Sequence, residues 1–358
     1  MSRFVPSFST QQLLPPWVSL GAKNWAFILS IEPDCIQDYL DTWFNAPGPD
    51  VAPYYWQAME SSRYGVLMVC DHSDFSSERD GVAGYERLAH REVFWFFPVY
   101  RYQRTPDNLL TGAPKVVWVQ PFALDNNSFV MFSSREIWGC EKDMAVIHAH
   151  EGARPDDLHI DIAMEGCKTF TPTSISHRIG VMHMAITPSD KPFPWQEVLD
   201  FPGLGALLGD FLADVMSRTQ PTDPNEKPLL NVMEINTVKQ FRDAFDLRYA
   251  AYRAIVASRV THTVKTDGQF FAPENVTVDF LWSASFADRF TKLFGLTPPA
   301  KDWKAHGHPH GKSARSGQEI DWDMPRVSAK VAFAVAFTSD SRFEVLDTLH
   351  TYGQKRPA

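Results

Sequence analysis

The stretch from Ser134 to Lys142 reads SREIWGCEK and contains the lysine on which the interpretation of this chain depends. Lys142 stands between two acidic residues, Glu141 and Asp143. If this segment is extended, the side chains of Glu141 and Asp143 point to the face opposite Lys142, because successive residues of a strand alternate. The pattern then predicts that Lys142 enters an apolar interior. A surface lysine paired with one of the two carboxylates is the alternative, and such a pair contributes little stability.

Three shorter patterns surround this stretch in a fixed order along the chain. They are Glu92 six residues before Pro98-Val99, the triplet Leu124-Asp125-Asn126, and Val276-Thr277-Val278 followed by Trp282. Together with Arg135, Glu136, Gly139 and Lys142, they resemble the acetoacetate decarboxylase-like superfamily, whose Schiff-base motif runs approximately G-R-E-x-x-(G/A)-(F/Y)-P-K. The resemblance spans most of the chain.

The resemblance implies an α+β fold: an antiparallel, β-rich, cone-like barrel with peripheral helices. Residues 1–358 are expected to form a single domain, with a loose arm at 1–15 and a long surface loop at 301–323. The resemblance also implies that the Lys142 amine forms a Schiff base with a keto acid, with Glu92 as an acid/base or polarising group. A glutamate at the exposed end of its strand is the alternative for Glu92. Arg135 and Glu136 are expected to form a charge pair that orients the lysine strand.

The chain departs from the family pattern in several places. Asp143 replaces a second lysine, and Glu141 replaces a proline. The region where the family places an arginine for the substrate carboxylate offers only Lys23, which is the candidate anchor. No counterpart of the family's other catalytic acidic residue is found, because residues 65–68 are apolar where it would fall.

A lysine must lose its proton before it can attack a carbonyl group. Lowering its pKa from about 10.4 to about 7 requires about 4 to 5 kcal/mol, which burial or a neighbouring cation can supply. Activation by a neighbouring cation is best known from acetoacetate decarboxylase itself. Asp143 is an anion, so burial remains. The aromatic residues expected to line the substrate pocket and desolvate Lys142 are Trp95, Phe97, Trp118, Phe122 and Trp138.

Hydrophobic periodicity predicts many strands and a few helices. The predicted helices cover residues 35–44, 204–216, 247–256 and 285–294. Apolar and β-branched runs predict strands elsewhere, including residues 128–132 after a turn at 125–127.

Composition excludes several classes of protein. A net charge of -9 without a basic stripe disfavours nucleic acid as a partner. The four cysteines are far apart, as in buried thiols, and no apolar run is long enough to cross a membrane. A cytoplasmic protein that needs no cofactor and no metal is expected. The histidines of residues 306–310 are interpreted as part of a solvated loop.

The sequence therefore predicts a cofactor-independent lyase that acts on a β-keto acid or related keto acid, by decarboxylation or by aldol or dehydration chemistry. A non-catalytic barrel that binds an apolar carbonyl compound is the second hypothesis. A hydrolase or isomerase on the same scaffold is the third. Homo-oligomerisation is left open.

Overall fold

The computed structural model describes residues 13–49, 52–59, 63–79, 87–152, 157–189, 193, 231–242, 250–265, 268–299 and 320–352. Two sheets contain most of these residues. The larger sheet has the strands β1 (Trp17–Ser30), β2 (Tyr54–Ala58), β3 (Tyr64–Ser77), β4 (Leu88–Arg104), β5 (Leu110–Asp125), β6 (Lys142–Met144), β10 (Asn231–Arg242), β11 (Ala250–Val264), β12 (Gln269–Phe271) and β15 (Val331–Tyr352). The smaller sheet has the strands β7 (Val146–Glu151), β8 (Leu158–Gly166), β9 (His177–Ile186), β13 (Val276–Leu281) and β14 (Arg326–Ser328).

The larger sheet closes into a barrel. Its ring follows the order β4-β3-β1-β15-β11-β10-β5 and returns to β4, because β5 also pairs with β4. Every pairing around this ring is antiparallel except that of β10 with β5, where Ile235 and Asn236 lie opposite Trp118 and Val119. Closure gives the barrel strands one face toward an enclosed interior and one face outward.

The two faces of the barrel belong to two separate hydrophobic clusters. The inner cluster contains alternate residues of the barrel strands, such as Met68, Phe94 and Val260. The outer cluster joins the outward residues of the barrel, such as Phe27, to the smaller sheet and the helices. The wall of the barrel is therefore buried on both sides, which fixes the direction of each side chain on it.

The described residues include the short α-helices α1 (Pro33–Leu40), α2 (Ser128–Ser133) and α3 (Ala287–Phe294). Helix α3 ends at Gly295, whose φ of 64° suits glycine. Helices α1 and α3 confirm the predictions for 35–44 and 285–294. None of the described helices has the length and apolar character needed to cross a membrane.

Two predicted elements are wrong. The segment predicted as helix 247–256 contributes to strand β11, where Ala254, Ile255, Val256 and Ala257 are all buried. Burial on both faces makes apolar residues consecutive, so the pattern cannot distinguish a strand from a helix. The segment predicted as strand 128–132 forms α2, because the Asn127 side chain accepts hydrogen bonds from the backbone N–H groups of Phe129 and Val130 and caps the helix.

Three predicted segments lie wholly or largely outside the described residues. They are the helix at 204–216, the arm at 1–15 apart from residues 13–15, and the loop at 301–323 apart from residues 320–323.

Candidate active site

Strand β6 places Lys142 in the barrel. It pairs in parallel with the end of β5, with Lys142 opposite Ala123. The guanidinium group of Arg135 donates a hydrogen bond to the carbonyl oxygen of Lys142 at 3.2 Å, which holds the strand from the other side. Only 2% of the Lys142 side chain is exposed. The amine therefore lies in the interior of the protein.

Two carboxylates contact the Lys142 amine. Its Nζ lies 2.6 Å from Oε2 of Glu92 and 3.1 Å from Oδ2 of Asp125. Glu92 and Asp125 are directly opposite each other on the adjacent strands β4 and β5, which explains why one amine reaches both. His90 extends the cluster, since its Nε2 lies 2.6 Å from Oε1 of Glu92. These four residues are called the lysine cluster below.

The carboxylates decide the charge of the amine. Burial alone would lower the pKa of Lys142, but the negative charges of Glu92 and Asp125 outweigh burial and raise this pKa above its ordinary value. The resting form of Lys142 is therefore the ammonium. This corrects the sequence-based argument, in which burial was to lower the pKa toward neutrality.

The pKa values of the Glu92 and Asp125 carboxyl groups shift in opposite directions. Burial would raise the pKa of Glu92, but Lys142 and then His90 outweigh it and hold that pKa well below its usual range. Burial raises the pKa of Asp125 to about 6, and the nearby charge of Glu92 adds to the rise against the effect of Lys142. Asp125 therefore has the higher pKa of the two carboxyl groups.

The acidic neighbours of Lys142 face away from the amine, as the alternation of an extended segment predicts. Arg289 of α3 lies 3.0 Å from Asp143 and 3.6 Å from Glu141, outside the barrel. Arg135 also lies 3.5 Å from Asp143. The charges of residues 141 and 143 are therefore balanced by arginines rather than directed at Lys142.

Two adjoining cavities occupy the barrel interior. The first is lined by Lys142 and Glu92. The second extends toward Asn24 and His262. They share the lining residues Phe94, Gln120, Trp138 and Phe343. The Lys142 amine lies 5.4 Å from the centre of the Phe94 ring. A small ligand in these cavities would meet the amine, the ring of Phe94 and polar groups beyond them.

One group of side chains near the amine has ligand atoms suited to a metal ion. His72, His90 and Glu92 offer atoms that all lie within 4.8 Å of one another. The oxygens of Glu92 already contact His90 and Lys142. A metal ion would have to compete with the Lys142 ammonium for this carboxylate, so the residues fit a metal poorly. The expectation of a metal-free, cofactor-free protein stays a prediction.

Comparison with solved structures identifies the architecture. An acetoacetate decarboxylase-like enzyme from Sphingomonas wittichii RW1 is similar at a TM-score of 0.50 and 10% identity, over 96% of this chain and 98% of that chain. The chain has the acetoacetate decarboxylase-like fold. The acetoacetate decarboxylase of Legionella pneumophila is similar at 0.46 and 11% identity over 97% and 93%, and the enduracididine biosynthesis enzyme MppR complexed with pyruvate at 0.42 and 12% identity over 95% and 94%. No protein-family model and no curated protein matches the chain.

The acetoacetate decarboxylase-like barrel brings one of the predicted aromatic residues, Trp138, to the cavity that Lys142 lines. Trp118 packs against the inner cluster but is not among the lining residues of either cavity. Trp95, Phe97 and Phe122 belong to the outer cluster, so their assignment to the substrate pocket is wrong.

Strand geometry explains these errors. Along β4, Glu92 faces inward, so Trp95 and Phe97 at odd separations face outward. On β5, Trp95 lies opposite Phe122 whereas Phe97 lies opposite Val119, so two residues of β5 oppose Phe96 alone. This bulge at residues 120–121 reverses the alternation before Phe122.

Lys23 is not a carboxylate anchor in this structure. Its side chain is 56% exposed and pairs with Glu151 of the smaller sheet at 2.8 Å. Its neighbour Asn24 is the residue that lines the barrel cavity. The error again arises from alternation, because consecutive residues of β1 point to opposite sides of the wall.

Arg135 and Glu136 have separate contacts. Arg135 is about half exposed and contacts Asp143 and the Lys142 backbone. Glu136 acts electrostatically on Lys239 of β10. Arg135 thus contacts the lysine strand directly, and it forms an ion pair with Asp143.

Sequence reasoning missed two members of the lysine cluster, Asp125 and His90. A signal for Asp125 was present, because it is the central residue of the Leu124-Asp125-Asn126 triplet. It was interpreted as the start of a turn, which it also is: its Oδ1 accepts a hydrogen bond from the Asn127 N–H at 2.6 Å. Nothing in the sequence distinguishes His90, which reaches Glu92 only because both lie on the inner face of β4.

Proposed function

We propose that the chain is a cofactor-independent lyase that binds a keto acid and forms an iminium ion between its carbonyl carbon and Lys142. The observation that carries this proposal is the buried amine at 2.6 Å from Glu92 and 3.1 Å from Asp125, at the lining of a cavity in the barrel. An amine in such a place is shielded from water, which would hydrolyse the iminium.

The charge balance of the reaction agrees with a resting ammonium. An ammonium and a carbonyl group give an iminium and one molecule of water, so the site carries one positive charge before and after the step. The carboxylates that hold Lys142 protonated would therefore also stabilise the iminium product. The same carboxylates disfavour the neutral amine, which exists only during the attack.

Asp125 is suited to hold the proton during that attack. Its pKa of about 6 makes it the stronger base of the two carboxylates in contact with the amine. It would take one proton from Lys142, and the neutral amine would add to the carbonyl carbon. A second proton would then pass from the nitrogen to the carbonyl oxygen to give a hydroxyl group, and the proton held by Asp125 would convert that hydroxyl group into the leaving water. Proton transfer over one hydrogen bond is the usual geometry of general acid–base catalysis.

The iminium then accepts an electron pair. In a β-keto acid, the bond between the α-carbon and the carboxylate breaks, carbon dioxide leaves, and the electrons form an enamine. In an aldol or dehydration reaction, the iminium accepts the electron pair of a different breaking bond. The lysine cluster is common to both reactions, and the bond that breaks depends on the substrate.

Borohydride trapping tests the proposal. Incubation with pyruvate or acetoacetate and sodium borohydride should add one reduced adduct to Lys142, located by peptide mass spectrometry. Lys142→Arg should abolish the adduct, because a guanidinium keeps the charge of the cluster yet does not form an imine. Lys115→Arg is the control at an exposed lysine and should leave the adduct unchanged. Absence of any adduct on Lys142 between pH 6 and 10 would reject the proposal.

A second function is favoured by one observation. The raised pKa of Lys142, which burial alone would have lowered, is also what a purely structural cation between the Glu92 and Asp125 carboxylates would show. On that hypothesis the barrel binds a carbonyl compound without reacting with it. Binding of a ketone that survives in Lys142→Arg, with no adduct in the wild type, would support this alternative over the lyase.

A further inference from the structure

The barrel interior has a second polar region beyond the lysine cluster. It is called the distal lumen and consists of His72, Gln120, Trp138, His262 and Ser341, which line the second cavity. Phe94, Gln120, Trp138 and Phe343 also line the cavity that contains Lys142, so the two regions are continuous. A ligand whose carbonyl group reaches Lys142 would place its other end here.

Three buried polar atoms of the distal lumen have no hydrogen-bond partner among the described residues: Oε1 of Gln120, Nε1 of Trp138 and Nε2 of His72. In two of these side chains, the other polar atom already has a partner. Gln120 donates from Nε2 to Sγ of Cys140 at 3.0 Å, and Nδ1 of His72 lies 2.7 Å from the Ser19 hydroxyl group. Buried polar atoms are nearly always paired in folded proteins. These atoms therefore indicate a place for a ligand or water molecules that both donate and accept.

The distal lumen offers no charge to that ligand. Burial, followed by the neighbouring His90, lowers the pKa of His72 to about 3, and burial lowers the pKa of His262 to about 4. Both imidazoles are neutral at physiological pH. Among the described residues that line the two cavities, Lys142 is the single lysine or arginine, and Glu92 and Asp125 already contact it.

Apolar side chains surround the polar atoms. Met68, Phe96, Ile235 and Val260 line the same cavity. A carboxylate or phosphate group placed among them would lose its hydration and gain no cation. An uncharged group loses far less hydration and can satisfy the unpaired atoms.

We propose that the distal lumen binds an uncharged hydrogen-bonding group, a carboxamide or hydroxyl, at the end of the substrate remote from its carbonyl. Nε1 of Trp138 would donate to the oxygen of this group, and Oε1 of Gln120 would accept from its N–H or O–H. The placement of the carbonyl end at Lys142 rests on the proposed function; the binding of the uncharged end does not.

Three methyl ketones of similar length test this inference: 5-oxohexanamide, 5-oxohexanoate and 2-heptanone, which end in a carboxamide, a carboxylate and a methyl group. Their dissociation constants are measured by calorimetry with the wild type and with Lys142→Arg, which cannot form an iminium. We expect the carboxamide to bind at least about tenfold more tightly than either of the others. This corresponds to one well-formed hydrogen bond to a buried atom.

Two variants locate the preference. Gln120→Leu removes Oε1 with a side chain of similar size, and Trp138→Phe removes Nε1 while keeping an aromatic ring. Each should cut the preference for the carboxamide at least about threefold. Met233→Leu, at an apolar position of the same cavity, is the control and should preserve it. Thermal melting of each variant verifies that it is folded, and Trp138→Phe remains as a test if Gln120→Leu does not fold.

The outcomes separate this inference from the proposed function. Tightest binding of the carboxylate, or equal binding of all three ketones, overturns the inference even if borohydride trapping succeeds. A carboxamide preference that persists in Lys142→Arg, combined with failure of trapping in the wild type, keeps the distal lumen and rejects the lyase.

Discussion

Asp125 is the residue on which the proposed reactivity of Lys142 depends. It contacts the amine directly, is fully buried, and has a pKa that burial raises to about 6. Asp143 offers a comparison, because it is the residue next to Lys142 in sequence yet faces Arg289 outside the barrel. The two aspartates therefore allow the same chemical change to be made on either side of the barrel wall.

Asp125→Asn should move borohydride trapping to lower pH. Removal of the Asp125 charge lowers the pKa of Lys142, since opposite charges in contact typically account for 1 to 3 units, and we expect the midpoint of the pH profile to fall by about 1 unit or more. The maximal trapping rate should also fall, because asparagine cannot hold the proton. The measurement is the trapping rate with acetoacetate between pH 6 and 11.

Asp143→Asn is the matched control for this prediction and should leave the midpoint in place. A midpoint that moves equally in both variants would show that the pKa of Lys142 responds to overall charge rather than to the contact with Asp125. A midpoint that moves in neither variant would mean that the lysine cluster does not control the amine.

The turn before β6 is the element that delivers Lys142 to the interior. Gly139 ends the helical turn of residues 134–138 with a φ of 72°, a conformation that favours glycine. A Cβ atom at this position would lie 2.4 Å from Cβ of Lys239 on β10. The turn is therefore pressed against a barrel strand, and the position of β6 depends on this contact.

Gly139→Ala should destabilise the protein more than Gly112→Ala. Both glycines have a similar positive φ, which costs about 1 to 2 kcal/mol for alanine, but a Cβ at Gly112 meets nothing within 4 Å. We expect Gly139→Ala to lower the free energy of unfolding by about 2 kcal/mol more than Gly112→Ala, because the added methyl group must displace β10. Urea unfolding measures both values. Equal losses would show that β10 moves aside freely.

Strands and their faces were predictable to different degrees. The apolar run around Glu92 predicted β4 correctly, and simple alternation from Glu92 assigns Phe94 rather than Trp95 to the side of the amine. The bulge opposite Phe96 was not predictable, because it depends on how β5 pairs with β4. Phe122 was therefore assigned to the wrong face. The local sequence pattern predicts that a segment is a strand. The strands paired with it determine where the alternation of its side chains is interrupted.

At the scale of the whole molecule, the barrel was predicted only through the family resemblance. Nothing local indicates that β10 closes the ring on β5, since this pairing joins residues more than one hundred positions apart. The polar lining of the distal lumen was missed for the same reason: His72, Gln120 and His262 come from three strands that are distant in the sequence. Closure of the barrel brings these three residues together, and hydrophobic periodicity carries no information about which strands close the barrel.

Closure also makes the whole protein sensitive to acid. His262 is buried with Nδ1 at 2.8 Å from the Ser341 hydroxyl group, and its pKa falls from about 6.5 in the unfolded chain to about 4 in the barrel. Between these values the unfolded state binds more protons, so the free energy of unfolding falls as the pH falls. We expect His262 alone to account for a loss of about 2 kcal/mol between pH 7 and pH 4.5.

His262→Gln should reduce this loss by a similar amount, because glutamine does not titrate. Urea unfolding at pH 7 and pH 4.5 measures the difference, and His150→Gln, at an exposed histidine, is the control. If the wild type and His262→Gln lose the same stability on acidification, His262 is not neutral in the folded barrel.

The position of β15 has a consequence for synthesis of the chain on the ribosome. This strand lies between β1 and β11, so residues 331–352 complete a ring that began with residues 17–30. Until that last strand emerges, the nascent barrel has two open edges, and the distal lumen lacks Ser341 and Phe343. Lys142 is translated long before any enclosed cavity can exist around it. The buried environment of the Lys142 amine is therefore completed late in synthesis, although Lys142 lies in the first half of the sequence.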